Sequence, residues 1–144
     1  MTDYTPPGQE KFIIDLMGEM DPNDPQSMVF SMSTYQQFDE EAPTAVLAYA
    51  VEDSDFGLIM WNLSPGQEND YHMHPNTEHL HVVVQGEVEY TLEGGPPVTL
   101  GVGDAVMVPP KVAHGIRNVS DEPASYFAIA GTRGGYEKVL VEKP

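Results

Sequence analysis

Short apolar segments recur along this chain between clusters of glycine, proline and asparagine, and many alternate with the two-residue period of a β-strand. No segment with a helical period lies between them, which disfavours an α/β fold. The spacing is typical of an all-β sandwich or barrel. The predicted strands are Met28–Ser33, Ala45–Val51, Gly57–Leu63, His79–Gln85, Glu87–Leu92, Val98–Leu100, Ala105–Val108, Ala113–Asn118, Ser125–Ala130 and Tyr136–Val141.

The beginning of the chain is less regular. Lys11–Met20 fits either a short helix or a strand, and the loop-forming residues Asp21–Pro25 follow it. We therefore expect an N-terminal arm over residues 1–26 that precedes the β-rich part of the chain.

Four of the five histidines fall in the ten-residue stretch HMHPNTEHLH. His72 and His74 are two residues apart, so on an extended segment they point to the same side. On the strand that follows, His79 and His81 share one face and Glu78 lies on the other. Alternation alone leaves open whether Glu78 or His79 faces the interior, since a shift of one residue reverses the two faces.

Two segments resemble the paired signatures of the cupin superfamily. They read Gly66-x5-His72-x-His74-x4-His79-x6-Gly86 and Gly103-x5-Pro109-x4-His114-x3-Asn118. Counting back from Gly86 places His79 where the family usually has glutamate, whereas counting forward from His74 selects Glu78. We favour His79, because choosing Glu78 makes the interval to Gly86 one residue too long. Lys111 stands where glycine is common in the family, which alters the turn before His114.

The resemblance implies one cupin jelly-roll domain over residues 1–144, with metal-binding motifs at 66–86 and 103–118. It also implies a divalent metal ion held by His72, His74, His79 and His114. Imidazole nitrogen suits Zn²⁺, which we expect, as well as Fe²⁺, Mn²⁺ and Ni²⁺. His81 shares the inward face of His79, and we predict that it is a catalytic acid or base beside the metal.

Composition restricts the partners. The net charge is −17, from 23 acidic residues against 6 lysines and arginines, and such a surface repels nucleic acid and anionic membranes. The absence of cysteine excludes disulfides and thiolate ligands. With no apolar stretch of about 18 residues and no recognisable signal sequence, we expect a cytoplasmic protein.

The apolar and aromatic positions of the strands predict a cavity for a hydrophobic, oxygen-rich small molecule. The expected lining residues are Tyr35, Phe56, Ile59, Trp61, Met73, Val83, Tyr90, Met107, Ile116 and Phe127. On the opposite face of the His79 strand, Leu80, Val82 and Val84 need cover, and the resemblance implies a homodimer formed through such a surface.

The small size and four-histidine motif resemble cupin-type cyclases of aromatic polyketide antibiotic biosynthesis, the resistomycin-type cyclase in particular. This implies a metal-dependent aldol cyclisation of a poly-β-ketone. The alternative is a mononuclear iron or manganese dioxygenase that cleaves a carbon–carbon bond in a small phenolic or diketone substrate. The sequence identifies neither the substrate nor the metal.

Overall fold

The computed structural model describes residues 13–49, 54–131 and 137–143. In these ranges the chain forms three short 3-10 helices and two β-sheets. The first sheet has the strand order β1-β2-β3-β10-β5-β8 and the second β11-β4-β9-β6-β7. The strands are β1 Ile13–Asp15, β2 Thr44–Tyr49, β3 Phe56–Leu63, β4 His72–Met73, β5 His79–Gln85, β6 Glu87–Leu92, β7 Val98–Gly101, β8 Ala105–Val108, β9 His114–Arg117, β10 Ala124–Gly131 and β11 Val139–Leu140.

The predicted all-β jelly-roll is confirmed, and most of the predicted strands lie within a residue or two of their observed bounds. The prediction for Met28–Ser33 is wrong. This segment carries the 3-10 helices Pro25–Met28 and Met32–Tyr35. Pro25 fixes a helical φ angle at the start of the first of these turns. The predicted strand Ala45–Val51 is observed as Thr44–Tyr49, and its last two residues lie outside the described part of the chain.

The ambiguous segment Lys11–Met20 contains both kinds of structure. Ile13–Asp15 forms a strand that pairs in parallel with β2, and Met17–Glu19 forms a 3-10 helix. Lys11 and Phe12 lie outside the described residues.

The main hydrophobic core lies between the two sheets. Alternate residues of β3 and β10 point into it, among them Trp61, Leu63 and Tyr126, which are all nearly or fully buried. Complete burial of one such side chain contributes about 1.5–3 kcal/mol to stability.

A second cluster covers the outer face of the first sheet. Val46 of β2 and Met60 of β3 point away from the main core and pack with Leu16, while Met32 and Tyr35 pack against this cluster. The segment before β2 therefore shields that side of the sheet, which explains why β3 is buried on both faces.

Gly86 connects β5 of the first sheet to β6 of the second. Its φ angle is +70°, a conformation that favours glycine, and a Cβ atom there would lie 2.4 Å from the carbonyl oxygen of Pro123. This glycine of the first motif therefore has a steric role at the point where the chain changes sheets.

The C-terminal part of the chain returns to the histidine-rich segment. β11 pairs antiparallel with β4, through Val139 with Met73 and Leu140 with His72. The predicted strand Tyr136–Val141 is thus shorter than expected, and Tyr136 is not among the described residues. No helix in the described ranges is both long enough and apolar enough to cross a membrane.

Candidate metal centre

Three histidines from the two motifs meet inside the barrel. His72 on β4 pairs with His114 on the neighbouring strand β9, and His74 follows two residues after His72. All three are buried, and their candidate ligand nitrogens lie within 4.8 Å of one another. The alternation predicted for His72 and His74 is therefore confirmed, and the two signatures converge on one point.

Each of the three rings is held by a backbone carbonyl. Nδ1 lies 2.6 Å from the oxygen of Asp70 for His72, 2.8 Å from that of Glu137 for His74, and 3.1 Å from that of Val112 for His114. A carbonyl oxygen can only accept a hydrogen bond, so Nδ1 carries the proton and Nε2 keeps a lone pair.

This arrangement is the one that orients metal-binding histidines in proteins. The Nε2 atom of His114 is buried and has no hydrogen-bond partner in the described part of the chain. A buried nitrogen lone pair without a partner is costly, and a metal ion would satisfy it. The residues present therefore fit a divalent ion, which His72, His74 and His114 could hold.

The interior keeps these imidazoles neutral. Burial, together with the nearby His114 and Lys138, lowers the pKa of His72 to about 2. Burial also lowers the pKa of His74 to about 4, against the opposing effect of its hydrogen bond to Glu137, and lowers the pKa of His114. A neutral imidazole is the form that binds a metal.

His79 lies against this cluster. It is buried whereas Glu78 is exposed, so the choice of His79 as the inward residue is confirmed. Its ring stacks on that of His74, with 4.0 Å between centroids. Burial and the imidazoles of His74 and His114 lower its pKa to about 2. The group within 4.8 Å holds three histidines and not four, so His79 as the fourth ligand stays a prediction.

His81 is also buried and lies two residues after His79 on β5, on the same face of the strand. Its ring centroid is 5.3 Å from that of His114, and its Nδ1 is 2.7 Å from the hydroxyl oxygen of Tyr90. Burial is the main cause of a pKa well below the ordinary value for His81, and burial raises the pKa of Tyr90. The pair is therefore a neutral imidazole beside a protonated phenol.

The histidines border a small cavity of about 20 Å³. Its walls are Trp61, Asn69, His72, His74, His79, His81, Ile116, Tyr126, Ala128 and Lys138. Such a space holds about one or two water molecules. The side-chain amide of Asn69 donates a hydrogen bond to the hydroxyl of Tyr126, which fixes one polar wall.

Only part of the predicted lining is correct. Trp61 and Ile116 border the cavity as expected. Phe56 and Met107 instead are 51% and 60% exposed, and Tyr35 packs on the outer face of the first sheet, where its hydroxyl donates to Glu19. Phe56 and Met107 lie on strands, but alternation along a strand does not show which of its faces meets solvent.

The sequence analysis missed Lys138, which precedes β11. Its side chain is 6% exposed, it borders the cavity, and its Nζ lies 3.2 Å from Oδ2 of Asp70, whose side chain is 13% exposed. Asp70 therefore contacts the site twice, through its carboxylate to Lys138 and through its backbone oxygen to His72. No motif marks a lysine this far from the histidines in sequence.

Comparisons with known proteins agree with this geometry. The family model of the cupin domain matches residues 59–130. The dimethylsulfoniopropionate lyase DddQ of Ruegeria pomeroyi is 37% identical over 71 residues, which cover 49% of this chain and 33% of that protein. The match thus spans about a third of the length of this curated relative.

Solved structures show the same fold. An uncharacterized conserved protein with a double-stranded beta-helix domain from Klebsiella pneumoniae is 29% identical with a TM-score of 0.70, covering 80% of this chain and 97% of that one. The crystal structure of DddQ from Ruegeria pomeroyi has a TM-score of 0.60 at 23% identity, covering 70% of this chain and 52% of that one. At that identity the likeness concerns the fold alone.

Proposed function

Since this chain belongs to the cupin domain family, we propose that it is a divalent-metal-dependent enzyme that stabilises negative charge on an oxygen of a small substrate, as in a lyase reaction through an enolate. One observation carries the proposal. Three neutral imidazoles, each with Nδ1 held by a backbone carbonyl, direct Nε2 toward one point beside a cavity.

Different groups of the protein would bind the ion and orient the substrate. His72, His74 and His114 would hold the ion, which when bound supplies a Lewis acid for a carbonyl or carboxylate oxygen. The cavity walls orient the substrate and exclude water, which strengthens each polar interaction inside.

We propose that His81 is a catalytic hydrogen-bond donor. Tyr90 is buried, and the acceptor within reach of its hydroxyl among the described residues is Nδ1 of His81. A buried phenol normally donates its proton to such a partner. The proton of the neutral imidazole then resides on Nε2, from which it can donate a hydrogen bond to a developing oxyanion without leaving the ring. This replaces the acid-or-base role that the sequence suggested.

The polyketide cyclase suggested by the sequence shares the enolate chemistry and stays a prediction. A lyase is favoured instead because the matched region of the curated relative belongs to a lyase. Dimethylsulfoniopropionate is therefore the first substrate to test.

The test combines metal analysis with solvent exchange. We expect the purified protein to hold about one equivalent of zinc, and the loaded protein in D₂O to remove the C–H signal next to the substrate carboxylate in proton NMR spectra, with vinyl signals if elimination follows. His114→Ala is the matched control and should be inactive. Metal-dependent oxygen uptake would instead identify the dioxygenase. A protein that retains no metal would overturn the proposal.

We also propose that two copies associate through the outer face of β5 and β8. Leu80 and Val82 are half-buried there, and Met107, which pairs with Leu80, is 60% exposed. Light scattering should give twice the chain mass of 15.8 kDa, and Met107→Glu should yield monomers. A monomeric wild-type protein at micromolar concentration would refute this assembly.

A further inference from the structure

We infer that Lys138 forms an anion subsite beside the metal centre, and that the substrate therefore carries a carboxylate or a similar small anionic group. This inference rests on the proposed function and specifies its substrate class. It starts from a lysine side chain that is 6% exposed in the wall of the histidine cavity.

With a divalent ion bound, the charges around the cavity would not balance without an anion. A histidine that binds a metal through Nε2 is neutral, so the candidate ligands His72, His74 and His114 would bring no negative charge to a bound ion. Among the described residues that line the cavity, Lys138 is the one that is ordinarily charged at neutral pH. The ion pair with Asp70 compensates its charge, so a bound dication leaves the interior with two uncompensated positive charges. Buried charge without compensation is costly, and an anionic ligand would reduce that cost.

The contact between Lys138 and Asp70 is an ion pair without a hydrogen bond. Oδ2 of Asp70 is buried and lies 3.2 Å from Nζ, yet it makes no hydrogen bond in the described part of the chain. The pair is therefore held by charge and not by an optimised hydrogen bond. A lysine ammonium has three donors and can contact a ligand oxygen while it remains beside Asp70.

The location suits the head group of a ligand. Lys138 follows Glu137, whose carbonyl holds Nδ1 of His74, so the ammonium and a metal ligand are fixed by consecutive residues. The cavity of about 20 Å³ accommodates a group of only a few atoms. A carboxylate has this size, and one that entered would lie within the field of both cations.

Trp61 provides the assay. It is the single tryptophan of the chain and lines the same cavity, so its fluorescence reports a ligand there. The probes are formate and its neutral isostere formamide, titrated at constant ionic strength in a buffer with a large sulfonate anion. We expect the zinc-loaded wild type to bind formate. Lys138→Met should weaken formate binding about tenfold and leave formamide unchanged, while Lys138→Arg should keep most of the preference.

Substitution of Asp70 provides a control that should raise the affinity for formate, whereas Lys138→Met should lower it. Asp70→Asn removes the competing carboxylate but keeps the backbone oxygen that holds His72, so formate should bind several-fold more tightly. If Lys138→Met does not fold, the double substitution Lys138→Met/Asp70→Asn replaces the ion pair by neutral groups and should also lose the preference for formate. If the ion pair had only a structural role, the Lys138 and Asp70 substitutions would not change the affinity for formate in opposite directions.

Formate affinity within twofold of the wild type in Lys138→Met, or in the double variant, would overturn the inference. Its failure is distinct from that of the proposed function. Zinc binding and solvent exchange with an unchanged formate affinity would reject the anion subsite alone, whereas a Lys138-dependent preference for formate without any solvent exchange would reject the enolate chemistry alone.

Discussion

The neutral histidines should make the metal-free protein sensitive to mild acid. An unfolded chain binds a proton at each histidine below a pH of about 6.5, whereas the folded protein does not, because burial lowers the pKa of His72 and His79 to about 2 and that of His74 to about 4. Folding stability therefore falls as the pH drops below 6.5 and is unaffected by these groups above it.

The size of this loss of stability follows from the same pKa values. At pH 5 each of the three histidines lowers the free energy of unfolding by about 2 kcal/mol, so together they lower it by about 6 kcal/mol. This is comparable with the whole stability of an average domain, about 5–15 kcal/mol. We expect the metal-free protein to be close to unfolding at pH 5, and zinc to protect it by binding the neutral imidazoles.

The assay is urea denaturation of EDTA-treated protein between pH 8 and pH 5, followed by the fluorescence of Trp61, which is 3% exposed when folded. His72→Asn isolates one histidine, because the carboxylates titrate alike in both proteins. Between pH 8 and pH 5 the free energy of unfolding should fall by about 2 kcal/mol less in the variant than in the wild type. If the free energy of unfolding had the same pH dependence in both proteins, the reasoning would be refuted. Such a result would show that His72 binds its proton equally in the folded and the unfolded state.

Three further predictions concern single residues. His79→Ala should lower zinc affinity at least about tenfold, measured by chelator competition, while exposed Glu78→Ala leaves it unchanged; the reverse order would show that His79 is not the fourth ligand. Tyr90→Phe should lower the free energy of unfolding by about 1–3 kcal/mol, because Nδ1 of His81 loses its hydrogen-bond donor. It should also change the ¹⁵N chemical shifts of the His81 ring, and unchanged shifts would exclude the tautomer with the proton on Nε2. Lys111 has a φ angle of +71°, so Lys111→Gly should raise the free energy of unfolding by about 1 kcal/mol in thermal melts, and a loss of stability would contradict this account.

The register of β5 could be predicted from the spacing to Gly86, although the count from His74 selected Glu78 instead. The spacing to Gly86 selected His79 over Glu78, and Gly86 has a steric requirement that other residues cannot meet. A strand with one buried face allows a single register, so one fixed point determined the orientation of the whole strand.

The segment Met28–Ser33 was predicted incorrectly because local pattern does not reveal a partner. Its apolar residues alternate as in a strand, but Pro25 favours a turn before it, and Met32 packs over the first sheet. A strand exists only where another strand supplies its hydrogen bonds, and that information is not local.

Lys138, Asn69 and Tyr126 could not be assigned to the site for a related reason. Each reaches the cavity through tertiary structure, Lys138 through the pairing of β11 with β4 and Tyr126 through the central position of β10. A histidine pair at fixed spacing is informative by itself. A single lysine can be assigned to a site only when the fold shows which residues surround it.

The pairing of β11 with β4 has a kinetic consequence. Among the described residues this contact consists of two residue pairs and one further hydrogen bond, from the amide of Val141 to the carbonyl of Tyr71. The same segment holds the ring of His74 and forms a wall of the cavity. A transient local opening of so short a strand would release both together. Ion escape and ligand entry would then share one rate-limiting event, with the Val141 amide as its hydrogen-exchange reporter, and an occupied cavity would prolong the residence time of the metal.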